Sequence, residues 1–107
     1  TELIKEIRDF LVDHLDRRFT IEELSRKYLI NTSSLKSVFK AVYGMPIASY
    51  VKEYRMQQAM KLLRETDDSV AVIAEKVGYE TQGKFAKAFK ESVQVPPKEY
   101  RRLYQKG

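Results

Sequence analysis

Apolar residues recur along this chain at helical spacing, with polar residues filling the positions between them. From Glu2 to Asp16, the residues Leu3, Ile7, Phe10, Leu11 and Leu15 fall on one stripe among charged neighbours and predict a first helix. Thr20 and Glu23 form the S/T-x-x-E capping box that opens a second helix, with Phe19 and Leu24 at the staple positions around it. Ile21, Leu24, Ser25 and Tyr28 then come at i, i+3, i+4 and i+7. After the break Leu29-Ile30-Asn31, a third helix is expected to bury Leu35, Val38, Phe39 and Val42. It should stop near Gly44, which can take the left-handed C′ conformation ahead of Pro46. Ile47 to Arg64 is the longest expected helix, about 27 Å at 1.5 Å per residue. Its apolar residues (Ile47, Val51, Tyr54, Met56, Ala59, Met60, Leu62, Leu63) do not keep to one stripe, as expected of a helix touched from more than one side. Glu65 to Asp68 is a polar stop, and Ser69 can cap the next helix.

The second half repeats the first. Val70, Ile73, Ala74 and Val77 reproduce Ile21, Leu24, Ser25 and Tyr28 at a displacement of 49, while Phe85, Phe89 and Tyr100 match Leu35, Phe39 and Tyr50 at 50. One residue is added in the break Gly78-Tyr79-Glu80. Val70 to Ala74 would pass for a strand on β-branched content alone, but the repeat and its 3.6 spacing overrule that. The expected fold is all-α. Residues 1–45 and 66–107 form two short-helix pairs, joined by a long linker helix over 46–65.

Composition narrows the class. With 107 residues and 43% hydrophobic content the chain suits a compact domain or two very small ones sharing an element. The absence of cysteine excludes disulfide scaffolds and thiolate metal sites. The longest uninterrupted apolar run, Val70 to Ala74, is far short of the roughly 20 residues needed to span a bilayer. No signal-peptide pattern opens the chain, so it reads as a cytoplasmic protein, or a piece cut from one, without a membrane partner. Twenty basic and 15 acidic side chains give a net charge of +5, which by itself only permits a polyanionic partner. Placement says more. Residues 1–28 sum to −1, whereas 29–45 carry Lys36 and Lys40 with no acid, and 81–90 carry Lys84, Lys87 and Lys90 with none.

A short helix, a brief break and a second helix is the helix-turn-helix arrangement, whose second helix can lie in the DNA major groove. In 31–43, removing the buried stripe leaves Ser33, Lys36, Ser37 and Lys40 at i, i+3, i+4 and i+7. Hydroxyls can pair with several base edges, and lysines with guanine acceptors or phosphates. In 81–93 the corresponding positions are Gly83, Ala86, Lys87 and Lys90, flanked by Gln82 and Lys84. Gln82 suits an adenine edge, while Gly83 and Ala86 permit close approach or a thymine methyl contact. The first unit is thus expected to hydrogen-bond more bases, and the second to lean on phosphates. Thr32 and Thr81, with the helix N-terminal amides, are expected to hold phosphates alongside Lys40 and Lys90. One lysine-rich helix face is usually only solvated. Two copies at the same place in a duplicated unit, both free of acids, favour a polyanion.

Other chemistry finds little support. Phe39, Phe85, Phe89, Tyr50 and Tyr100 are most simply core. His14, the only histidine, lies among helix-face charges without a catalytic partner. The stretch Gly78 to Phe85 has the P-loop spacing G-x-x-x-x-G-K. However, Phe85 replaces the hydroxyl that would hold Mg²⁺, and a helical pattern stands where a strand is required. Glu22-Glu23 and Asp67-Asp68 suit helix starts and do not form a facing dyad. No enzyme and no cofactor is expected. The alternative reading is a helical protein-interaction module, with RNA polymerase as a candidate partner and nucleic-acid affinity incidental.

In order along the chain stand Leu24-Ser25, Leu35-x-x-x-Phe39-Lys40 and Tyr43-Gly44. Then come Tyr50-Val51, Arg55, Ala59 and Leu62-Leu63, and after them Ile73-Ala74-x-x-x-Gly78-Tyr79, Phe85-x-x-x-Phe89-Lys90 and Pro97-x-x-Tyr100-Arg101. This ordered set, from about Ile4 to Arg101, resembles the C-terminal DNA-binding domain of the AraC/XylS family of bacterial transcription regulators. The resemblance implies seven helices, with two helix-turn-helix subdomains bridged by the long helix and both recognition helices in successive major grooves of promoter DNA. It carries the base-contacting surface onto Ser33, Lys36 and Ser37 in the first unit and onto Gln82, Gly83, Lys84 and Lys87 in the second. Gln94 stands where the family often has glycine, and no arginine lies between Asn31 and Val42 or between Thr81 and Val93. Most members carry a sensor or dimerisation domain ahead of this one. Since Thr1 opens almost directly onto the first helix, the expectation is an isolated DNA-binding domain whose sensor is missing, with a stand-alone short regulator as the alternative.

Overall fold

The computed structural model describes residues 2–105. Among them are seven α-helices and no strand: α1 (Glu2–Asp13), α2 (Ile21–Tyr28), α3 (Thr32–Tyr43), α4 (Ile47–Glu65), α5 (Val70–Lys76), α6 (Gln82–Val93) and α7 (Pro97–Tyr104). Two compact units divide inside α4, one running up to Glu53 and the other from Tyr54 on.

In the first unit α1 packs on α2 and α3, and Ile4, Ile7, Leu11 and Leu15 are buried, as are Leu24, Leu35, Phe39, Ile47 and Val51. The buried stripe of α1 therefore runs through Ile4, and Leu3 lies exposed. α1 also ends three residues earlier than its apolar spacing predicts. The His14 and Arg17 amides donate to the Leu11 and His14 carbonyls in tight turns, and these keep Leu15 in the core after the helix has stopped. The turn returns Phe19 to Phe10, with ring centroids 4.9 Å apart. His14 has a structural place: its ring stacks on Phe10 and Nδ1 lies 2.8 Å from the Phe10 carbonyl.

The second unit packs Met56, Ala59 and Leu63 of α4 with Val70, Ile73, Ala74 and Val77, then Phe85, Phe89 and Tyr100. α4 buries Ile47 and Val51 in one unit and Met56, Ala59 and Leu63 in the other. These two sets are out of phase along the helix, which is why no single stripe shows in its sequence. α5 is helical despite its β-branched residues. Ser69 Oγ accepts from the Val72 amide at 3.1 Å, and burial of Val70, Ile73 and Ala74 at helical spacing outweighs local strand preference.

The duplication extends to the caps. Gly44 (φ 80°) and Gln94 (φ 75°) end α3 and α6 in the same left-handed conformation, and their amides donate to the Lys40 and Lys90 carbonyls at 2.8 Å. At Gln94 the side chain adds a bond of its own, from Nε2 to the Glu91 carbonyl at 2.8 Å, and α6 ends there without glycine. The Tyr50 and Tyr100 amides donate to the Pro46 and Pro96 carbonyls at 3.0 and 2.9 Å, again 50 residues apart.

Candidate nucleic-acid interface

In the first unit the capping box forms as its spacing requires. The Glu23 amide donates to Thr20 Oγ1 at 3.0 Å, and the Thr20 amide to Glu23 Oε1 at 2.8 Å. The Thr20 bonds, backbone first, hold the Glu23 carboxyl below its ordinary range. At the other end of α2, Leu29 adopts φ 54° and its amide returns to the Ser25 carbonyl. The Ile30 amide reaches the same carbonyl at 3.1 Å, while Ser25 Oγ donates to the Ile30 carbonyl. This left-handed closure is the helix C-terminal motif that normally uses glycine. In the second unit Gly78 (φ 91°) holds the position of Leu29, and the Tyr79 amide donates to the Ala74 carbonyl at 2.9 Å as Ile30 does to Ser25.

Each turn delivers a capped helix. Asn31 Oδ1 accepts from the Ser34 amide at 2.8 Å at the start of α3, and Thr81 Oγ1 from the Lys84 amide at 3.1 Å at the start of α6. Thr32 and Thr81 thus differ in place: Thr81 is an N-cap, exposed, while Thr32 is the first helical residue and half-buried. Leu35 and Phe39 anchor α3, and Phe85 and Phe89 anchor α6, all without solvent exposure. That burial turns Ser33, Lys36, Ser37 and Lys40 outward on α3, and Gln82, Gly83, Lys84, Lys87 and Lys90 outward on α6.

Lys36, Lys40, Lys87 and Lys90 make no ion pair among the described residues. Lys84 does: its Nζ lies 3.2 Å from Glu80 Oε2. The acid sits one residue outside the acid-free window, at i−4, where helical spacing would have pointed to it. Both groups are well exposed (66% and 83%), so the pair is weak and exchangeable. A Cβ built on Gly83 would meet nothing within 4 Å, so the protein's own packing does not require glycine there.

Two departures concern the surroundings. Val42, expected in the core, is 48% exposed and lines an open cavity of about 630 Å³ with Glu2, Lys5, Arg8, Asp9, Tyr43 and Tyr50. Val42 shares the stripe of Leu35 and Phe39 but stands in the last turn of α3, where it borders the open cavity instead of the core. Tyr50 is half-buried: its ring meets Phe39 edge-on at 5.5 Å and its hydroxyl accepts from Arg8 Nε at 2.8 Å. That bond, with a second to Asp9, raises the Arg8 pKa above its ordinary value.

Arg55, one of the motif residues without an assigned role, is 4% exposed and donates from Nη1 to the Val77 carbonyl at 2.7 Å. α4 thereby braces the residue that ends α5 and opens the turn before α6. Arg101 has a related task. Its Nε and Nη2 donate to the Leu63 and Thr66 carbonyls at 3.1 Å, satisfying groups that the end of α4 leaves open. Tyr100, buried on Phe89, accepts from Arg64 Nη1 at 2.7 Å.

A family model described as a helix-turn-helix domain matches residues 24–103. The chain belongs to the AraC-type helix-turn-helix family. MarA, the multiple antibiotic resistance protein of Escherichia coli (strain K12), is 27% identical over 97% of this chain and 82% of its own length. The HTH-type transcriptional regulator YtdP of Bacillus subtilis (strain 168) is 34% identical over 91% of the chain, which spans 13% of YtdP. Among solved structures, the C-terminal domain of AraT, a response regulator from Geobacillus stearothermophilus, matches with a TM-score of 0.93 and 28% identity, covering 100% of this chain and 89% of that one. The DNA-binding domain of the global transcriptional factor AdpA, solved with a target DNA, shares the fold at a TM-score of 0.87 and 23% identity, over 94% and 91% of the two chains. As an AraC-type fold, the chain carries its helix-turn-helix pairs as α2–α3 and α5–α6. Among the described residues, no helix is long and apolar enough to cross a membrane.

Proposed function

We propose that this chain binds double-stranded promoter DNA sequence-specifically, as the DNA-reading part of a bacterial transcription regulator, with α3 and α6 entering successive major grooves. The carrying observation is that both second helices of a duplicated helix-turn-helix turn an exposed polar and cationic face outward, free of carboxylates on α3 and carrying a single one, Glu91 near the C-terminal end, on α6. Ser33, Lys36 and Ser37 read bases in the first half-element, and Gln82, Gly83, Lys84 and Lys87 in the second. Thr32, Lys40, Thr81 and Lys90 hold phosphates. Lys84 exchanges Glu80 for DNA, which costs little for so exposed a pair. The reading is of a binding protein without catalysis, in line with relatives named as transcriptional regulators. A sensor or dimerisation domain is its natural partner, by analogy with AraT, whose matching part is the C-terminal domain of a response regulator. Fluorescence anisotropy on labelled duplexes across a salt series tests the reading. Binding should weaken steeply with salt, by about 0.9 in logarithmic slope per phosphate neutralised.

The exposed Val42 beside the cavity of the first unit favours a second reading, a protein-interaction module with RNA polymerase as candidate partner. A mainly apolar contact there would lack the salt dependence.

A further inference from the structure

On the flank of α6 lies an open cavity of about 410 Å³ lined by Ser69, Val70, Ala71, Gln82, Lys98 and Arg101, all within the second unit. Two of these six are cations and none is an acid. Lys98 is exposed and makes no ion pair or hydrogen bond among the described residues. The guanidinium of Arg101 is oriented by its bonds to the Leu63 and Thr66 carbonyls, so its charge is fixed at the wall. Ser69 accepts a backbone amide and keeps its hydroxyl proton for another acceptor. Of the nearby carboxylates, Asp68 pairs with Lys76 at 2.7 Å and Glu99 pairs with Arg102, while Asp67 is exposed and does not line the cavity.

The repeat supplies the control. Displaced by 49 or 50 residues, the positions of Ser69, Ala71, Gln82, Lys98 and Arg101 fall on Thr20, Glu22, Thr32, Ala48 and Val51. The first unit therefore has a carboxylate where the second has Ala71, no cation at either basic position, and Val51 buried in its core. At these positions the second copy carries two cations and no acid, and the first carries an acid and no cation.

We infer that the Ser69–Gln82–Lys98–Arg101 cavity takes a backbone phosphate of bound DNA beside the base that Gln82 reads. The inference rests on the DNA-binding reading and adds an attachment point that only the second unit possesses. Lys98 supplies the mobile charge, Arg101 the fixed one and Ser69 a hydroxyl donor. Gln82, which lines the same cavity, is positioned by the phosphate as well as by α6. The second unit becomes the anchor of the complex.

The test uses the whole chain, a duplex enriched by selection and a scrambled duplex, read by fluorescence anisotropy over a salt series. Lys98→Ala should weaken both duplexes by roughly fivefold or more and lower the salt slope by about 0.9. Ala71→Glu, which installs the first unit's acid at an exposed position, should weaken both by more than about tenfold. A scan with single neutral methylphosphonates should find one phosphate whose neutralisation costs the unaltered protein affinity but not Lys98→Ala. Unchanged melting temperatures assign these losses to binding, and if Ala71→Glu melts early, Lys98→Ala and the scan decide alone. Steep, salt-dependent binding with neither variant altered would overturn the cavity while leaving the DNA reading intact. No binding of any duplex at low salt would overturn both.

Discussion

Arg55 and Val77, 22 residues apart, are joined by a 2.7 Å hydrogen bond from a buried guanidinium to a backbone carbonyl at the end of α5. Val77 directly precedes Gly78 and the turn that sets the start of α6, so a charge on the linker helix fixes where the second recognition helix begins. Arg55→Met keeps much of the side-chain volume but leaves that carbonyl without its donor, at a cost of about 2–4 kcal/mol. Urea denaturation should register the loss, and amide shifts of residues 77–84 should move with it.

Leu29 and Gly78 hold equivalent left-handed positions in the two turns, yet only one is a glycine. A non-glycine residue in that region costs about 1–2 kcal/mol, partly offset because glycine loses more entropy on folding. Leu29 is 92% exposed and has almost no packing to lose. Leu29→Gly should raise stability by up to about 1 kcal/mol, whereas Gly78→Leu should lower it by about 1–2 kcal/mol. Thermal melts of the two variants check both signs.

Gly83 separates stability from binding. Its Cβ space is empty and it sits in the first turn of α6, so Gly83→Ala should add up to about 1 kcal/mol to stability. If DNA approaches the backbone there, the same methyl group weakens duplex binding. A variant that melts later and binds less tightly is the expected result, measured by calorimetry and anisotropy on one preparation.

The lysines and serines divide by role. Lys36→Ala and Ser37→Ala should each change sequence preference at particular positions, by about 1–3 kcal/mol against the preferred base. Lys90→Ala should weaken all duplexes alike and reduce the salt slope by about one unit. Equal losses on every sequence for all three would refute the division.

Acid should loosen the fold through three carboxylates. Glu23, held by the Thr20 amide, Asp68, held by Lys76, and Glu99, held by Arg102, all have folded-state pKa values below their ordinary ones. A lowered folded value means that the stabilisation is complete above the ordinary carboxylate range and is lost as pH falls through the lowered value. Melting temperature should therefore hold from pH 7 to about 5 and decline below about 4.5. Glu23→Gln should decline less steeply over the same window.

Much of this fold was legible because local and global signals agree. The Thr20–Glu23 box, the cap at Ser69 and the 49- to 50-residue echo of apolar positions each point to the same helices. Leu29 escaped because nothing about leucine announces a left-handed residue, whereas Gln94 is marked by standing where the family often has glycine, 50 residues after Gly44; their own amides help hold both there. Val42 matches the helical period but stands in the last turn of α3, beside an open cavity, and the period alone does not show where the core ends. The outward stripes of α3 and α6 came from the period alone. The Lys84–Glu80 pair was within reach of the i, i+4 rule, one residue beyond the acid-free stretch. The cavity beside Gln82 could not be read in sequence, because its lining comes from the start of α5, the start of α6 and α7.

The most direct test of the central claim, that both recognition helices read bases, is selection by the 107-residue chain from a random duplex library. Because the units repeat head to tail, an asymmetric motif of two blocks about one helical turn apart is predicted, bound far more tightly than a scrambled control. Binding without enrichment of any sequence, or enrichment of a palindrome protected only by dimers, would contradict it.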